Sequence, residues 1–532
     1  MASQWHVHSR LLQTAYEMDA IVSMLGTLMG IASDIKRQYD QLMEPVISRL
    51  SKGFACLSDD LLHIIFRFTV EEDDPFQAVR LSLVSRRFRN LAILDPTLWT
   101  SLCYGASKDE LETFIVRSGP NAYFDASIRI VRPLNGEHES SRSKSVIDPA
   151  FNDFLEACWP SMSRWTTLTI TLAYFGSSRE LEFALQSFNR HDGVCFSSLQ
   201  EIRIHSEGQY VCKKSLDLTW MAPNLRSLQT SNTVPPGLTG TVHVFSTVTA
   251  FKCKDILAVY QPHRQAENFV EFIESMPNLT TLELEFQMFM VHDYSFRLIE
   301  FPVLPPSSHH SITSFTLTLS QYTVGRDGNW AVYFAELFLG LNMTRLEEFT
   351  LVMDVIGFNA SITECDIFFN GLSLALLPPH HHDDARTRVV CPRLSTLNYH
   401  LKYNPAKVQE IRGSDVDSET LASPEQITFP IPLGSVPTVT TLNITTFTKV
   451  SFTRGIEALA DDGITPCGLR EIRFEGCDKM EISDLRLTIQ SLKDMGAWDS
   501  LERFVVENND SLKYSEVLDA VGEERLHYIY AS

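Results

Sequence analysis

The residues best suited to chemistry in this 532-residue chain are His380-His381-His382-Asp383-Asp384, preceded by Pro378-Pro379. Imidazoles and carboxylates ligate metals, but a metal site needs its ligands held in a fixed geometry. Consecutive residues on a loop do not readily converge on one ion. A solvated loop is the simpler reading, with a metal-dependent enzyme as the remote alternative, and His309-His310 behind Pro305-Pro306 is read the same way. The ten cysteines contain no C-x-x-C pair, which leaves neither a zinc ribbon nor a redox motif. No cysteine has a sequence neighbourhood that marks it as a reactive thiol. The chain also lacks a phosphate-cradling glycine loop, a G-x-S-x-G elbow and an H-E-x-x-H helix. The expectation is a non-catalytic chain without metal or cofactor.

Composition narrows the remaining classes. Hydrophobic residues at 44% and charged residues at 21% are globular values, and the length predicts several structural units rather than one core. With 45 basic against 66 acidic residues the net charge is −21, which opposes nucleic-acid binding, and no basic cluster marks a membrane patch. The cysteines read as buried thiols in a reducing compartment. Glu17 and Asp19 precede the first apolar run and no cleavage pattern follows it, so an intracellular site, cytoplasmic and/or nuclear, is expected. The sequons Asn278-Leu-Thr280 and Asn443-Ile-Thr445 are then coincidental.

Leu57 to Leu102 is the most specific stretch. Leu61, Leu62, Ile65 and Phe66 recur at helical spacing behind the N-cap candidates Ser58 and Asp59, and Glu71–Asp74 with Pro75 end that helix. Ala78, Leu81, Leu83, Val84 and Phe88 predict a second helix, and Asp95-Pro96 turns the chain before Leu98 and Trp99. Surplus apolar surface on so small a unit suggests a docking device.

These residues resemble the F-box, the adaptor-binding module of cullin-RING ubiquitin ligases. Leu57, Asp60, Leu61, Leu62, Ile65 and Phe66 match its first block, Val84 to Phe88 its second, and Asp95, Pro96, Leu98 and Trp99 its third. Ser58 stands where the family usually has Pro, and Phe88 where Trp is common. Leu111 to Pro120 is similar to the segment that follows the F-box in proteins of mushroom-forming fungi. The resemblance implies an F-box-like domain over 54–104. It also implies a Skp-type adaptor as partner, and through it a cullin. The adaptor would be bound through Leu57, Ser58, Leu61, Leu62, Ile65, Phe66, Val84, Phe88, Leu98 and Trp99.

Upstream, residues 1–50 are read as an amphipathic heptad helix and linker. One register runs Leu11, Met18, Leu25, Ala32, Tyr39 and the other Thr14, Ile21, Leu28, Ile35, Leu42, with Thr14 the one clearly polar member. Gly26 and Gly30 weaken the helix by roughly 1 kcal/mol each relative to Ala. Pro45 is expected to end it. The uncharged run Ala20 to Ser33 falls short of the roughly 20 residues that cross a bilayer, so no membrane is expected. Self-association through residues 10–43 and folding back onto the same chain both fit.

After a connecting segment at 105–158, one pattern fills 159–532: apolar-x-x-apolar-x-apolar. It starts at Trp165, Leu199, Leu225, Val248, Leu279, Ile312, Leu346, Leu394, Val439, Leu469 and Leu501, a mean spacing of about 34 residues against the roughly 20–29 of ordinary leucine-rich repeats. Pro223, Pro277, Pro392 and Pro437 each stand two residues ahead of a start, where Pro suits a strand entry. Helix-like segments such as Glu267–Ser275 and Trp330–Leu341 lie between. The pattern resembles a degenerate leucine-rich repeat, so the expected fold class is α/β: an N-terminal helix, a small helical F-box-like unit and an irregular leucine-rich-repeat-like solenoid. An α/β sheet with coincidental motifs is the alternative.

In a solenoid the x residues face out on the concave side. The candidate target-binding residues are therefore Glu201, Arg203, Lys252, Lys254, Glu283, Glu285, Asn398, His400, Glu471, Arg473 and Arg503. The long intervals 351–394 and 399–439 are read either as binding insertions or as spacers. Together these readings predict the substrate-recognition subunit of an SCF-type (Skp–cullin–F-box) E3 ubiquitin ligase, holding an as yet unknown target protein. A non-ligase repeat scaffold is the alternative.

Overall fold

The computed structural model describes residues 2–70, 76–131, 149–173, 184–190, 194–211, 219–234, 242–254, 269–287, 311–325, 337, 341, 343–359, 393–403, 427–433, 436–452, 468–477 and 479–530. The chain divides into two compact units, Met1–Trp99 and Thr100–Ser532.

The first unit opens with α1 (Ala2–Cys56), followed by α2 (Asp59–Val70), α3 (Gln77–Val84), α4 (Arg86–Leu94) and a 3-10 turn, Pro96–Trp99. Two expectations are corrected. Pro45 does not end the first helix, which runs through it to Cys56. The Pro lacks an N–H for the Gln41 carbonyl, but Gln41 is exposed and water can donate to that oxygen in its place. By length and composition, Met18–Pro45 is long and apolar enough to cross a membrane, a longer stretch than the uncharged run alone. The second helix expected from Ala78 to Phe88 is in fact two. Ser85 is extended between them, and its Oγ accepts from the Phe88 N–H at 3.1 Å, so it caps α4 and ends α3.

Ser58 caps α2 as its residue type predicts, its Oγ 3.4 Å from the Leu61 N–H. The amphipathic faces of α2 and α4 close over Leu62, Phe66, Leu91 and Ala92, with Leu98 and Trp99 buried from the 3-10 turn. Phe88 meets Phe66 edge-on at 4.9 Å and Phe54 at 5.9 Å. The break at 71–75 lies outside the described residues.

The second unit is mixed α/β with one long parallel sheet. Among the described residues, fourteen strands of this sheet lie side by side in chain order. Eleven of them carry the repeated motif: β3 (Trp165–Ala173), β4 (Glu201–Val211), β5 (Ser227–Val234), β6 (Ala250–Lys254), β7 (Thr281–Gln287), β8 (Ser314–Gly325), β9 (Glu348–Asn359), β10 (Thr396–Tyr403), β12 (Thr441–Thr445), β14 (Glu471–Glu475) and β15 (Arg503–Glu507). Motif residues pair with motif residues across the sheet. Leu168, Ile202, Leu228, Phe251, Leu282, Phe315, Phe349, Leu397, Leu442, Ile472 and Phe504 form one continuous buried row. On that side helical segments cover them, as where Phe272 lies 5.4 Å from Phe251. Glu267–Ser275 is helical over the described part, 269–274, and Leu337 and Leu341 are helical and buried.

Polar side chains stitch each unit to the one before it. Asn224 and Asn278, each following the turn proline, donate to the Ser197 and Ser246 carbonyls at 2.6 and 2.7 Å. Thr280 and Ser395, first among the x residues, donate to the Thr249 and Glu347 carbonyls at 3.0 and 3.1 Å. Pro223, Pro277 and Pro437 therefore sit in turns ahead of the strands rather than within them.

The sheet begins earlier than the motif count suggests. Ser101–Cys103 is β1, and the division between the two compact units falls between Trp99 and Thr100. The segment 105–158 holds α5 (Lys108–Ser118), β2 (Phe124–Val131) and α6 (Pro149–Cys158). In β2 the pattern is Phe124-x-Ala126-x-Ile128, one residue shorter than the others, and its register against β3 shifts at Phe124/Asp125. That bulge hides it from a fixed-spacing search. At the other end α7 (Ile482–Asp494) and α8 (Tyr514–Val521) precede and follow β15, and β16 (Leu526–Ile529) completes the sheet. A two-stranded sheet pairs β11 (Thr428–Ile431) with β13 (Lys449–Phe452), so part of the 399–439 interval is folded. The rest of the two long intervals, 360–392 and 404–426, lies outside the described residues.

Candidate interaction surfaces

In the helical unit, the structure sorts the expected adaptor-binding residues into core and surface. Leu62, Phe66, Leu98 and Trp99 are buried and hold the unit together, and Trp99 Nε1 donates to the Ala92 carbonyl at 2.7 Å. Each packs in the interior of the unit. Ser58, Leu61 and Val84 are exposed, while Leu57, Ile65 and Phe88 are half-buried. Ile64, Phe68, Leu83 and Leu94 are also exposed, Phe68 at 72%. The helical periodicity of Leu61, Leu62, Ile65 and Phe66 identifies one apolar face. Ile64 and Phe68, three and seven residues from Leu61, widen that face on the side away from the buried Leu62 and Phe66.

Two polar anchors set the geometry of this surface. Asp95, 3% exposed, accepts from Arg67 Nε at 3.0 Å and from the Thr97 hydroxyl and N–H at 2.6 and 3.1 Å. Burial pushes its carboxyl up, but the Thr97 and Arg67 hydrogen bonds outweigh that and leave it below its ordinary value. Arg87 donates to Asp59 Oδ1 at 2.6 Å and to the Phe54 and Leu57 carbonyls, tying α4 to the start of α2.

On the sheet the polar face is laid out in rows, one residue per strand. Arg203, Gln229, Lys252, Glu283, Thr316, Thr350, Asn398, Asn443 and Arg473 form one row in continuous register. Glu201, Glu471 and Arg503 fall in the row before it; Lys254, Glu285 and His400 lie one row beyond. All the expected target-binding residues thus share one face, and much of their polar capacity is spent on one another. Lys252 pairs with Glu283, Arg203 with Glu201 at 2.7 Å, and Arg473 with Glu507 at 3.1 Å. Arg503 reaches Glu471 at 3.5 Å, and Glu285 accepts from Ser320 at 2.8 Å.

Asn398 is the most buried of these residues. Only 9% exposed, it donates to Glu348 and Thr350 at 2.9 Å and accepts from Asn443 at 2.7 Å, so it is a rung of the sheet rather than a free contact. His400 lies 3.2 Å from Thr445, and burial holds its imidazole below the ordinary value. The row also contains Gln229 and Thr350, which the sequence reading omitted although the motif's register places them beside Lys252 and Asn398.

Among the described residues no group of three His, Cys, Asp or Glu side chains is placed to hold a metal ion. His380–Asp384 and His309-His310 lie outside the described residues. Burial pushes the Cys158 thiol up to about 12, which leaves it a core group rather than a nucleophile. No known protein family matches this chain, and no curated protein matches it.

Proposed function

We propose that this chain is the substrate-recognition subunit of an SCF-type E3 ubiquitin ligase, with the helical unit docking a Skp-type adaptor and the repeats holding a target protein. The observation that carries this reading is the F-box-like segment itself. It closes around its own core and still leaves Leu61, Leu83 and Val84 in solvent, apolar area of the kind a partner covers. The finer reading of the second unit, an irregular leucine-rich-repeat-like solenoid, is supported by eleven motifs falling on neighbouring parallel strands in chain order.

The mechanism is proximity. A receptor that holds its target beside a ubiquitin-loaded enzyme raises the effective concentration of the acceptor and does no bond chemistry itself. The target-facing residues are the exposed members of the polar rows, Arg203 and Lys254 first among them. Such a receptor works in the cytoplasm or nucleus, where adaptor and cullin reside.

Co-purification with a Skp-type adaptor tests the reading. Phe66 is a core residue, so the informative variant carries Leu61→Asp and Val84→Asp, both on exposed positions. Wild type should retain the adaptor and the variant should lose it, with helical content unchanged by circular dichroism. If wild type captures no adaptor, the ligase reading is wrong and a repeat scaffold is left.

A further inference from the structure

Between Met18 and Pro45, α1 has its side chains in solvent, with Met43 alone half-buried. The two heptad rows already named occupy positions a and d of this stretch, with Met18, Leu25, Ala32 and Tyr39 at a. The flanking positions decide what covers them. Val22, Met29 and Met43 stand at e with Lys36, and Met24 and Ile31 at g with Gln38, so the apolar flanks are continuous from Val22 to Ile31. In a two-stranded coil those positions are usually charged and solvated. Here they widen the apolar stripe to about half the helix circumference, the breadth of a helix that meets two neighbours rather than one. The remaining positions, b, c and f, are small or polar, among them Ser23, Gly26, Thr27, Gly30, Ser33 and Arg37.

We infer that α1 is an oligomerisation helix that assembles three or more copies of this chain through its a, d, e and g face. A sustained seven-residue repeat packs most regularly against another helix with the same repeat, and a second copy supplies one by construction. The opposing polar arc then faces water around the bundle.

A bilayer fits the same stretch less well. Met18–Pro45 is long enough to span, but lipid would have to cover Ser23, Thr27 and Ser33 on one side, and any roughly 20-residue window within it takes in Asp19 or Asp34. Adsorption to an anionic surface is opposed by four acids against two bases between Met18 and Pro45. This inference is independent of the ligase reading, since it makes no use of α2–α4.

Light-scattering mass of the full-length chain in detergent-free buffer tests it. Wild type should give at least three times the 60.3 kDa chain mass. Leu25→Asp with Leu28→Asp should fall to a single chain, as should a chain lacking residues 1–44, with the sheet unit's thermal transition unmoved. Gly26→Ala with Gly30→Ala, on the outward arc, should keep the assembly, whereas close packing of those glycines in a membrane dimer would be lost. A wild-type mass of one or two chains overturns the proposal. So does assembly that survives the Leu25/Leu28 change or the deletion, or that fails in the glycine variant. Flotation of wild type with phosphatidylcholine or phosphatidylserine vesicles overturns it in favour of a membrane.

Discussion

At the scale of single residues, Asp95 is where the helical unit is most exposed to failure. It is nearly buried, and its oxygens serve Arg67 and Thr97 together. Removing this buried charged acceptor loses the hydrogen bonds that tie α2 to the 3-10 turn, and bonds to a charged group contribute roughly 1–3 kcal/mol. Asp95→Ala should therefore lower the stability of this unit by about that much, read as an earlier urea midpoint of its helical signal. The pH dependence follows from the lowered carboxyl. The stability it contributes is present above the unfolded value of 3.8 and drains away as pH falls toward the folded value. Acid unfolding of wild type should steepen in that window, and the variant should lack the steepening. An unaltered acid limb in Asp95→Ala would assign the acid sensitivity to other carboxylates. Asp95 is legible in the sequence only as half of a turn signal, Asp95-Pro96. Its partners Arg67 and His63 are 28 and 32 positions away, and nothing in spacing announces that pairing.

At the scale of elements, what was legible was what repeats. The eleven motifs place eleven strands and every inward residue correctly, because a strand buried on one side must alternate and a repeated register must repeat the alternation. What was hidden was what departs from the period. The bulge at Phe124/Asp125 shortens the pattern in β2, and Ser85 interrupts an apolar sequence that reads as one helix from Ala78 to Phe88. Pro45 reads as a stop because the sequence does not reveal that the helix is solvated there. The polar face was legible as a set of positions but not as an inventory of contacts: register aligns Lys252 with Glu283, yet only the folded side chains show that they pair. The Ser85 cap gives an element-scale prediction. Ser85→Ala removes the acceptor for Phe88 N–H and should cost about 0.5–2 kcal/mol. It should also loosen the α3–α4 junction, seen as faster amide exchange at Arg87 and Phe88. Exchange there equal to wild type would mean that the turn is held by Phe88 packing on Phe66 instead.

At the scale of the whole molecule, the second unit has an unusual economy of contact. Each strand of the long sheet is hydrogen-bonded to its immediate neighbours in that order, and in all the pairings all strands run parallel. The cross-unit bonds of Asn224, Asn278, Thr280 and Ser395 likewise reach back one unit only. Stability in such an array is close to a sum of unit terms and nearest-neighbour interfaces, so a local defect should stay local. Ile472 in β14 is fully buried between Leu442 and Phe504. Ile472→Ala should destabilise by about 2–5 kcal/mol at its own position. Native-state hydrogen exchange should then accelerate in β12, β14 and β15, while β3 to β5, seven or more strands away in the sheet, keep their wild-type protection. A globally cooperative sheet gives the other result, a uniform acceleration from β3 to β15, because every amide would then exchange through the same unfolding event. The distance at which acceleration dies away measures how far one unit's folding depends on the next, and so how much of the polar face a partner can order by binding a few strands.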